Sequence, residues 1–373
     1  MHSTKKQFFV LLAASVGSLA MLTGCGSISF DTRPSGDINP QRLTMFSALK
    51  TSAPATGVAA MRVDLGRRLF YDQHLSKNSS ISCNSCHQLT EYGVDPGKAV
   101  SFGHDQHPGG RNSPTVYNAG LQFAQFWDGR AATLAEQASG PMMNPVEMGM
   151  PGPETVLAYI HSNPVYIQLF RQTYPGRRDP MVMENVTDAI AAFESGLLTP
   201  ARWDKYLEGD ESALSNEEKQ GLRVYLRTGC ASCHAGTGMG GNSYQKLGAY
   251  HNWPDQQTDP GRLALTHQQR DSMYFKVPTL RNVERTGPWF HDGKVKTIEQ
   301  AVRQMAQYQT GHPLSDADVQ SIVKFLHALT GDIPHKYIQP PSSTTQTYKA
   351  ATDHGSGPRL GLQAAVSTSR EGQ

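Results

Sequence analysis

Charge of one sign is what this sequence most lacks. Lys and Arg number 34 against 32 Asp and Glu, a formal net charge of +2. Lys5 and Lys6 sit in an N-terminal leader with the features of an export signal, and without it the chain is neutral. That excludes the broad basic face of a nucleic-acid binder, so no nucleic-acid partner is expected. Long apolar runs are missing beyond the leader. With 38% hydrophobic and 18% charged residues, this excludes a polytopic membrane protein. Cysteine is scarce, 5 in 373 residues, and each has another use, so no disulfide framework is left. The length allows two or three domains of about 100–200 residues.

The leader has a positive start at Lys5 and Lys6 and an apolar stretch from Phe8 to Leu22. It ends in Leu22-Thr23-Gly24-Cys25, which resembles the bacterial lipoprotein box, in which the cysteine is acylated and becomes the first mature residue. The alternative is cleavage near Gly24 with Cys25 incidental. Residues 1–24 are therefore expected to be a lipoprotein signal peptide, with a lipid anchor at Cys25 holding the protein to a membrane. Gly26 stands where an inner-membrane retention signal would need Asp. The expected place is thus the periplasm, on the outer membrane. Residues 25–56 read as a tether, and residues 337–373 as a disordered tail, from their Ser, Thr, Pro and Gly bias.

Cys83-Asn84-Ser85-Cys86-His87 and Cys230-Ala231-Ser232-Cys233-His234 both fit C-x-x-C-H, the attachment signature of a c-type haem. Two thiols add across the vinyl groups on one porphyrin edge, and the adjacent His lies under the iron. A redox-active thiol pair is the first alternative, but it is normally single and set on a βαβ unit. Structural zinc is the second, but the pairs lie far beyond zinc-ribbon spacing.

The chain repeats itself around these motifs. Gly66-Arg67-Arg68-Leu69-Phe70 precedes the first and Gly221-Leu222-Arg223-Val224-Tyr225 the second. Pro114-Thr115-Val116-Tyr117-Asn118 is echoed by Pro278-Thr279-Leu280-Arg281-Asn282, and Asp128-Gly129 by Asp292-Gly293 at the same interval. The fold class expected is mainly α, as two tandem cytochrome c-like domains with one covalent c-type haem each, over residues 57–197 and 198–336. Ser215 to Glu218 opens a helix ending near Gly229, Thr297 to Gln300 opens another, and Ser315 to Asp318 a third with Gly331 as its stop.

Distal ligands decide what each haem does, since an iron closed on both sides mainly carries electrons. Met239, Met273 and Met305 are candidates for the second haem. Met305 is late in its half, on the apolar face with Ile298, Ala301 and Val302; core packing is the ordinary use of such a Met. For the first haem the duplication points to Met142, but Gly140-Pro141 is expected to break the helix there. His104 and His107, on a Gly-rich loop, compete with it, and a loop ligand would be a removable closure. Glu147, flanked by apolar residues, could move the proton that peroxide cleavage needs if burial raises its pKa. Gln137 could hydrogen-bond a distal ligand, and Trp127 could stand between two haems, though surface and core places are the plain alternatives.

Together these residues resemble the bacterial dihaem cytochrome c peroxidases over about residues 62–336. The resemblance rests on Ser101-Phe102-Gly103-His104, Arg111-Asn112-Ser113-Pro114-Thr115-Val116, Phe126-Trp127-Asp128-Gly129-Arg130, Val146-Glu147-Met148, Leu198-Thr199-Pro200 and Phe290-His291-Asp292-Gly293-Lys294. It implies that His87 and His104 ligate a low-potential peroxidatic haem and that His234 and Met305 ligate a high-potential haem. It places Trp127 between the haems, and Gln137 and Glu147 over the peroxide site with Glu147 as acid/base. It implies calcium held by the Asn112 side chain and the carbonyls of Thr286 and Pro288. The implied reaction reduces hydrogen peroxide to water with electrons from a small cytochrome c or a cupredoxin, and the implied assembly is a homodimer. In many such proteins reduction of the second haem releases the distal His loop, a shift between closed and open states. The rivals are a plain dihaem electron carrier and the maturation enzymes of tryptophan tryptophylquinone, which put Tyr where this chain has Met305; its nearest Tyr is Tyr308.

Overall fold

Capping residues and apolar periodicity set the helices of the computed structural model, which describes residues 38–51, 53–254 and 259–342. The leader, Cys25 and residues from 343 onward lie outside the described residues. The first half carries α1 (Pro40–Leu43), α2 (Gly57–Tyr71), α3 (Cys83–Cys86), α4 (Leu134–Met143), α5 (Pro153–Ser162), α6 (Pro164–Thr173) and α7 (Met183–Glu194). The second carries α8 (Arg202–Leu207), α9 (Asn216–Arg227), α10 (Leu263–Thr266), α11 (Ile298–Gln304) and α12 (Asp316–His327). One short antiparallel pair, β1 (Tyr244–Lys246) and β2 (Tyr274–Lys276), sets Gln245 opposite Phe275. The structure is mainly helical, as expected. No helix among the described residues is long and apolar enough to cross a membrane.

The three capped starts occur as read. Ser215 and Glu218 form a reciprocal capping box on α9, Thr297 accepts from the Gln300 N–H on α11, and Ser315 from the Asp318 N–H on α12. The duplication is a duplication of geometry. α2 packs on α7 and α9 on α12. Gly66 leaves no room for a Cβ against the Ala189 carbonyl and the Phe193 side chain; Gly221 leaves none against the Ser321 carbonyl and Phe325. Each pair can cross this closely only because its contact residue lacks a side chain. Asn118 and Asn282, both in left-handed backbone, converge on one residue: their side-chain amides donate to the Thr199 hydroxyl at 2.8 and 2.9 Å. All three are buried, so this polar knot ties the repeats together where neither can be hydrated.

Four expectations need correction. Part of the expected tether is packed: Phe46 and Leu49 are buried, Phe46 meets Trp203 edge-on at 5.3 Å, and the Leu49 N–H donates to Asp204 Oδ1 at 2.6 Å. Asp204 also pairs with the fully buried Arg281. Two apolar anchors thus outweigh a polar composition. The start of the expected tail packs too, with Tyr337 stacked on Phe193 at 5.3 Å and Ile338 buried. The helix does not break at Gly140-Pro141. α4 runs on to Met143 with Pro141 inside it, at the cost of one backbone hydrogen bond, and Met142 anchors that end in the core. Finally, Gly331 is not the stop of α12, which ends at His327 with Ala328 as cap; the Gly331 N–H instead donates to Asn282 Oδ1 at 3.1 Å.

Candidate active site

Both motif histidines are held alike. His87 Nδ1 lies 3.3 Å from the Gly93 carbonyl, and His234 Nδ1 lies 3.1 Å from the carbonyl of Pro278, the repeat partner of Pro114. A carbonyl at Nδ1 keeps the proton there and presents Nε2 as a lone pair, the arrangement of a metal-bound imidazole. Burial lowers the pKa of both rings, His234 to about 4, so both are neutral at physiological pH. Burial also pushes the thiols of Cys83, Cys86 and Cys230 upward, whereas a redox-active pair needs one thiol depressed. Among the described residues no cluster of three or more His, Cys, Asp or Glu could hold a metal, which leaves the zinc reading without ligands.

A cavity of about 400 Å³ in the second half is lined by Cys230, Cys233, His234 and Met305, with Val302, Ile322 and Leu326 as apolar wall. Two thiols, a neutral imidazole and a thioether around one apolar volume fit a covalent haem. Of the three candidate methionines only Met305 lines this cavity. Met239 is fully buried elsewhere, and Met273 packs with Trp253 and Phe275. Met305 stands where α11 gives way to a six-residue π-helical turn, Met305–Thr310, and such wider turns favour functional positions.

The His104 segment of the first half is built differently. The His104 N–H donates to the Glu147 carbonyl at 2.8 Å, and the imidazole lies so close over Gly149 that a Cβ there has no room. The loop is closed by the Gly103 N–H on the His107 carbonyl at 2.9 Å and the Gly109 N–H on the Ser101 carbonyl at 2.8 Å. His107 is exposed and paired with Asp105 at 2.6 Å, which removes it from the site. Met142 belongs to the apolar core. Burial raises the pKa of the Glu147 carboxyl, against the opposing pull of Arg130 and of the Asn144 amide, which donates to Oε1 at 2.9 Å. Its charge is felt at Cys86, so this carboxyl is near the first motif. Gln137 is half-buried on α4 and its amide makes no side-chain hydrogen bond among the described residues.

Trp127 belongs to the first half and lines the cavity of the second. Its Nε1–H donates to the Asn112 carbonyl at 2.9 Å, and its ring stands edge-on to His291 at 6.4 Å. Asn112, Thr286 and Pro288 line the same cavity. The Asn112 amide nitrogen donates to the Lys98 and Ala99 carbonyls, at 3.3 and 3.0 Å, so its oxygen is on the other side. Amide and peptide carbonyl oxygens are donors of the kind a hard cation takes.

Around this junction lie groups to which no role was given from the sequence. Arg111 binds Asp259 through Nε and Nη2, at 2.6 and 2.8 Å, and Asp128 through Nη1 at 2.8 Å. Lys276 lines the cavity, donates to the Ala124 carbonyl at 2.9 Å, and has its pKa brought to about 8 by burial. Arg111 and His291 lie in the Arg111–Val116 and Phe290–Lys294 stretches of the sequence, which fix their positions but not their partners.

A family model described as di-haem cytochrome c peroxidase matches residues 60–212, and one described as cytochrome c matches residues 218–330. Cytochrome c551 peroxidase of Nitrosomonas europaea is 39% identical over 325 residues, covering 87% of this chain and 91% of that protein. The cytochrome c551 peroxidase of Pseudomonas aeruginosa is 41% identical over 300 residues, covering 79% and 86%. Among solved structures, a MauG-like protein associated with microbial copper homeostasis superposes with a TM-score of 0.68 at 24% identity, over 79% of this chain and 96% of that one. That last likeness carries the fold alone.

Proposed function

The chain belongs to the di-haem cytochrome c peroxidase family, and on that premise we propose that it reduces hydrogen peroxide to water with electrons from a small cytochrome c or a cupredoxin. The observation that carries this reading is the unlikeness of two duplicated sites. One has a methionine on a helix; the other has a histidine on a short loop with a half-buried carboxyl, its pKa raised, beside it. A carrier needs neither of the latter. Two c-type haems supply the stored electrons and the site for peroxide. Cys83 and Cys86 would hold the first, with His87 and His104 as its iron ligands. Cys230 and Cys233 would hold the second, with His234 and Met305.

The residues then divide the work. His104 closes the first site while its loop is seated over Gly149, and opens it when the loop moves. Glu147 takes the proton from one peroxide oxygen and returns it to the other, a role suited to a carboxyl whose pKa burial has raised. Gln137 would serve the same site as a hydrogen-bond donor. Trp127, hydrogen-bonded to the first half and exposed to the second cavity, provides an aromatic path between them. Calcium on Asn112, Thr286 and Pro288 would fix that junction. We further propose haem domains over residues 57–197 and 198–336, an exported and processed chain anchored through Cys25 on the periplasmic face of the outer membrane, and a homodimer. The leader's composition and the lipoprotein-like box support the first part of that placement, and family likeness the dimer.

Glu147→Gln tests the reading. Peroxide-dependent donor oxidation should fall by about 10²–10⁴-fold, the usual worth of a positioned acid/base group, with haem content unchanged. Turnover near the wild-type rate would overturn the assignment.

A further inference from the structure

We propose that Glu194 is a proton-holding group of the first haem pocket, set where the second pocket has an apolar side chain, so that reduction of the first haem takes up a proton there. This rests on the haem-binding reading of the two C-x-x-C-H motifs.

The placement comes from the repeat. Phe193 meets Gly66 as Phe325 meets Gly221. The Leu197 carbonyl accepts from the Asn118 N–H at 2.8 Å as the Leu329 carbonyl accepts from the Asn282 N–H at 3.1 Å. Both correspondences use the same interval, so Glu194, one residue after Phe193, matches Leu326, one after Phe325. Leu326 lines the cavity of Cys230, Cys233 and His234. Independent contacts put Glu194 in the equivalent place: Cys83 packs in one apolar cluster with Phe193 and Leu197, and the Glu194 charge is felt at the Cys83 sulfur.

The side chain is 4% exposed, and its Oε2 is buried with no hydrogen-bond partner. A carboxylate in that position is costly unless a positive charge stands beside it. Among the described residues none stands close enough to offset the burial. On α2, Asp64 pairs with Arg67 and Arg68, and Arg62 pairs with Asp188 of α7 itself. On α4, Glu136 is exposed and accepts from the Ala132 N–H; Glu184 lies at the opposite end of α7. The hydroxyls of Tyr71, Tyr117 and Tyr337 donate to the carbonyls of Ile338, Leu89 and Phe193. Cys83 and Cys86 become uncharged thioethers once haem is attached. Burial alone accounts for a carboxyl pKa pushed up to about 8. The variable charge nearby is therefore the haem, which is one unit more positive when oxidised. The oxidised haem favours the carboxylate and the reduced haem the acid. When one electron from the donor converts ferric to ferrous iron, one proton from solvent adds to the Glu194 carboxylate.

Redox titration of the haem-loaded protein between about pH 6 and 9, followed by the absorption of each haem, tests this without turnover. In the wild type the first haem should become harder to reduce as pH rises. The limit is a tenfold fall in the ferrous-to-ferric ratio per pH unit, about 59 mV for one electron. Glu194→Gln should flatten that slope and leave the second haem unchanged. A slope retained in the variant would overturn the proposal. Should the variant not load haem, Leu326→Glu is the reciprocal test: it should give the second haem a pH slope, and a flat potential there would overturn the proposal. Peroxide turnover, measured in parallel, judges the peroxidase reading separately.

Discussion

Glu147 and Glu194 show how burial sorts residues of one type. Both carboxyls are raised, but Glu147 has Asn144 and Arg130 to oppose the shift, while Glu194 has nothing. For Glu194 the consequence for stability has a definite sign. The unfolded chain releases this proton near pH 4.5 and the folded chain near about 8, so between those values the native state binds more protons. Stability then falls as pH rises through that window and is fully present below it. At about 1.4 kcal/mol per pKa unit the loss is on the order of a few kcal/mol. Glu194→Gln should remove most of that decline. Urea midpoints of haem-loaded wild type and variant, with the haems held reduced so that the acid form is favoured, taken near pH 5 and pH 8, check it; equal declines in both would contradict it.

At the scale of the element, the loop carrying His104 is a small closed unit pinned at three places. The Asn78 amide donates to the His104 carbonyl at 2.5 Å, the His104 N–H reaches the Glu147 carbonyl, and the imidazole rests on Gly149. Gly149 has a φ of +68°, so it serves both a left-handed turn and the seat of the ring. Gly149→Ala should displace the imidazole. With His104 as ligand, the first haem should then be largely high-spin before any reduction. Electron paramagnetic resonance of the oxidised protein reads this directly, and a fully low-spin signal like that of the wild type would argue against His104 as the cap.

Across the whole molecule, the two repeats are joined by buried polar contacts. Thr199 serves both repeats with one hydroxyl, so Thr199→Val leaves the amides of Asn118 and Asn282 each short of a partner. With about 1–3 kcal/mol for each buried unsatisfied group, the variant should lose roughly 2 kcal/mol or more. A substantially lower melting temperature is the expected result, and an unchanged one would show that the knot is not structural. Calcium would act at the same scale, between Asn112 of one half and Thr286 and Pro288 of the other. Chelation should lower peroxide turnover. Calcium should restore it better than magnesium, which prefers a tighter octahedron and keeps its waters. Full activity after chelation would remove calcium from the account.

Whatever depends on spacing along the chain was legible in the sequence: two haem-attachment motifs, a tandem repeat, three capped helix starts, and a mainly helical fold. Covalent attachment and capping act over a few residues, so the letters carry them. Tertiary structure alone decided what packs across the molecule: Phe46 and Leu49 against α8, α4 running through Pro141, His104 rather than His107 seated on Gly149, and Met305 rather than Met239 or Met273 facing the cavity. It also placed Glu194 beside Cys83 of the first motif. Those outcomes turn on which surfaces exclude water together, and residues far apart in sequence settle that only once they have met.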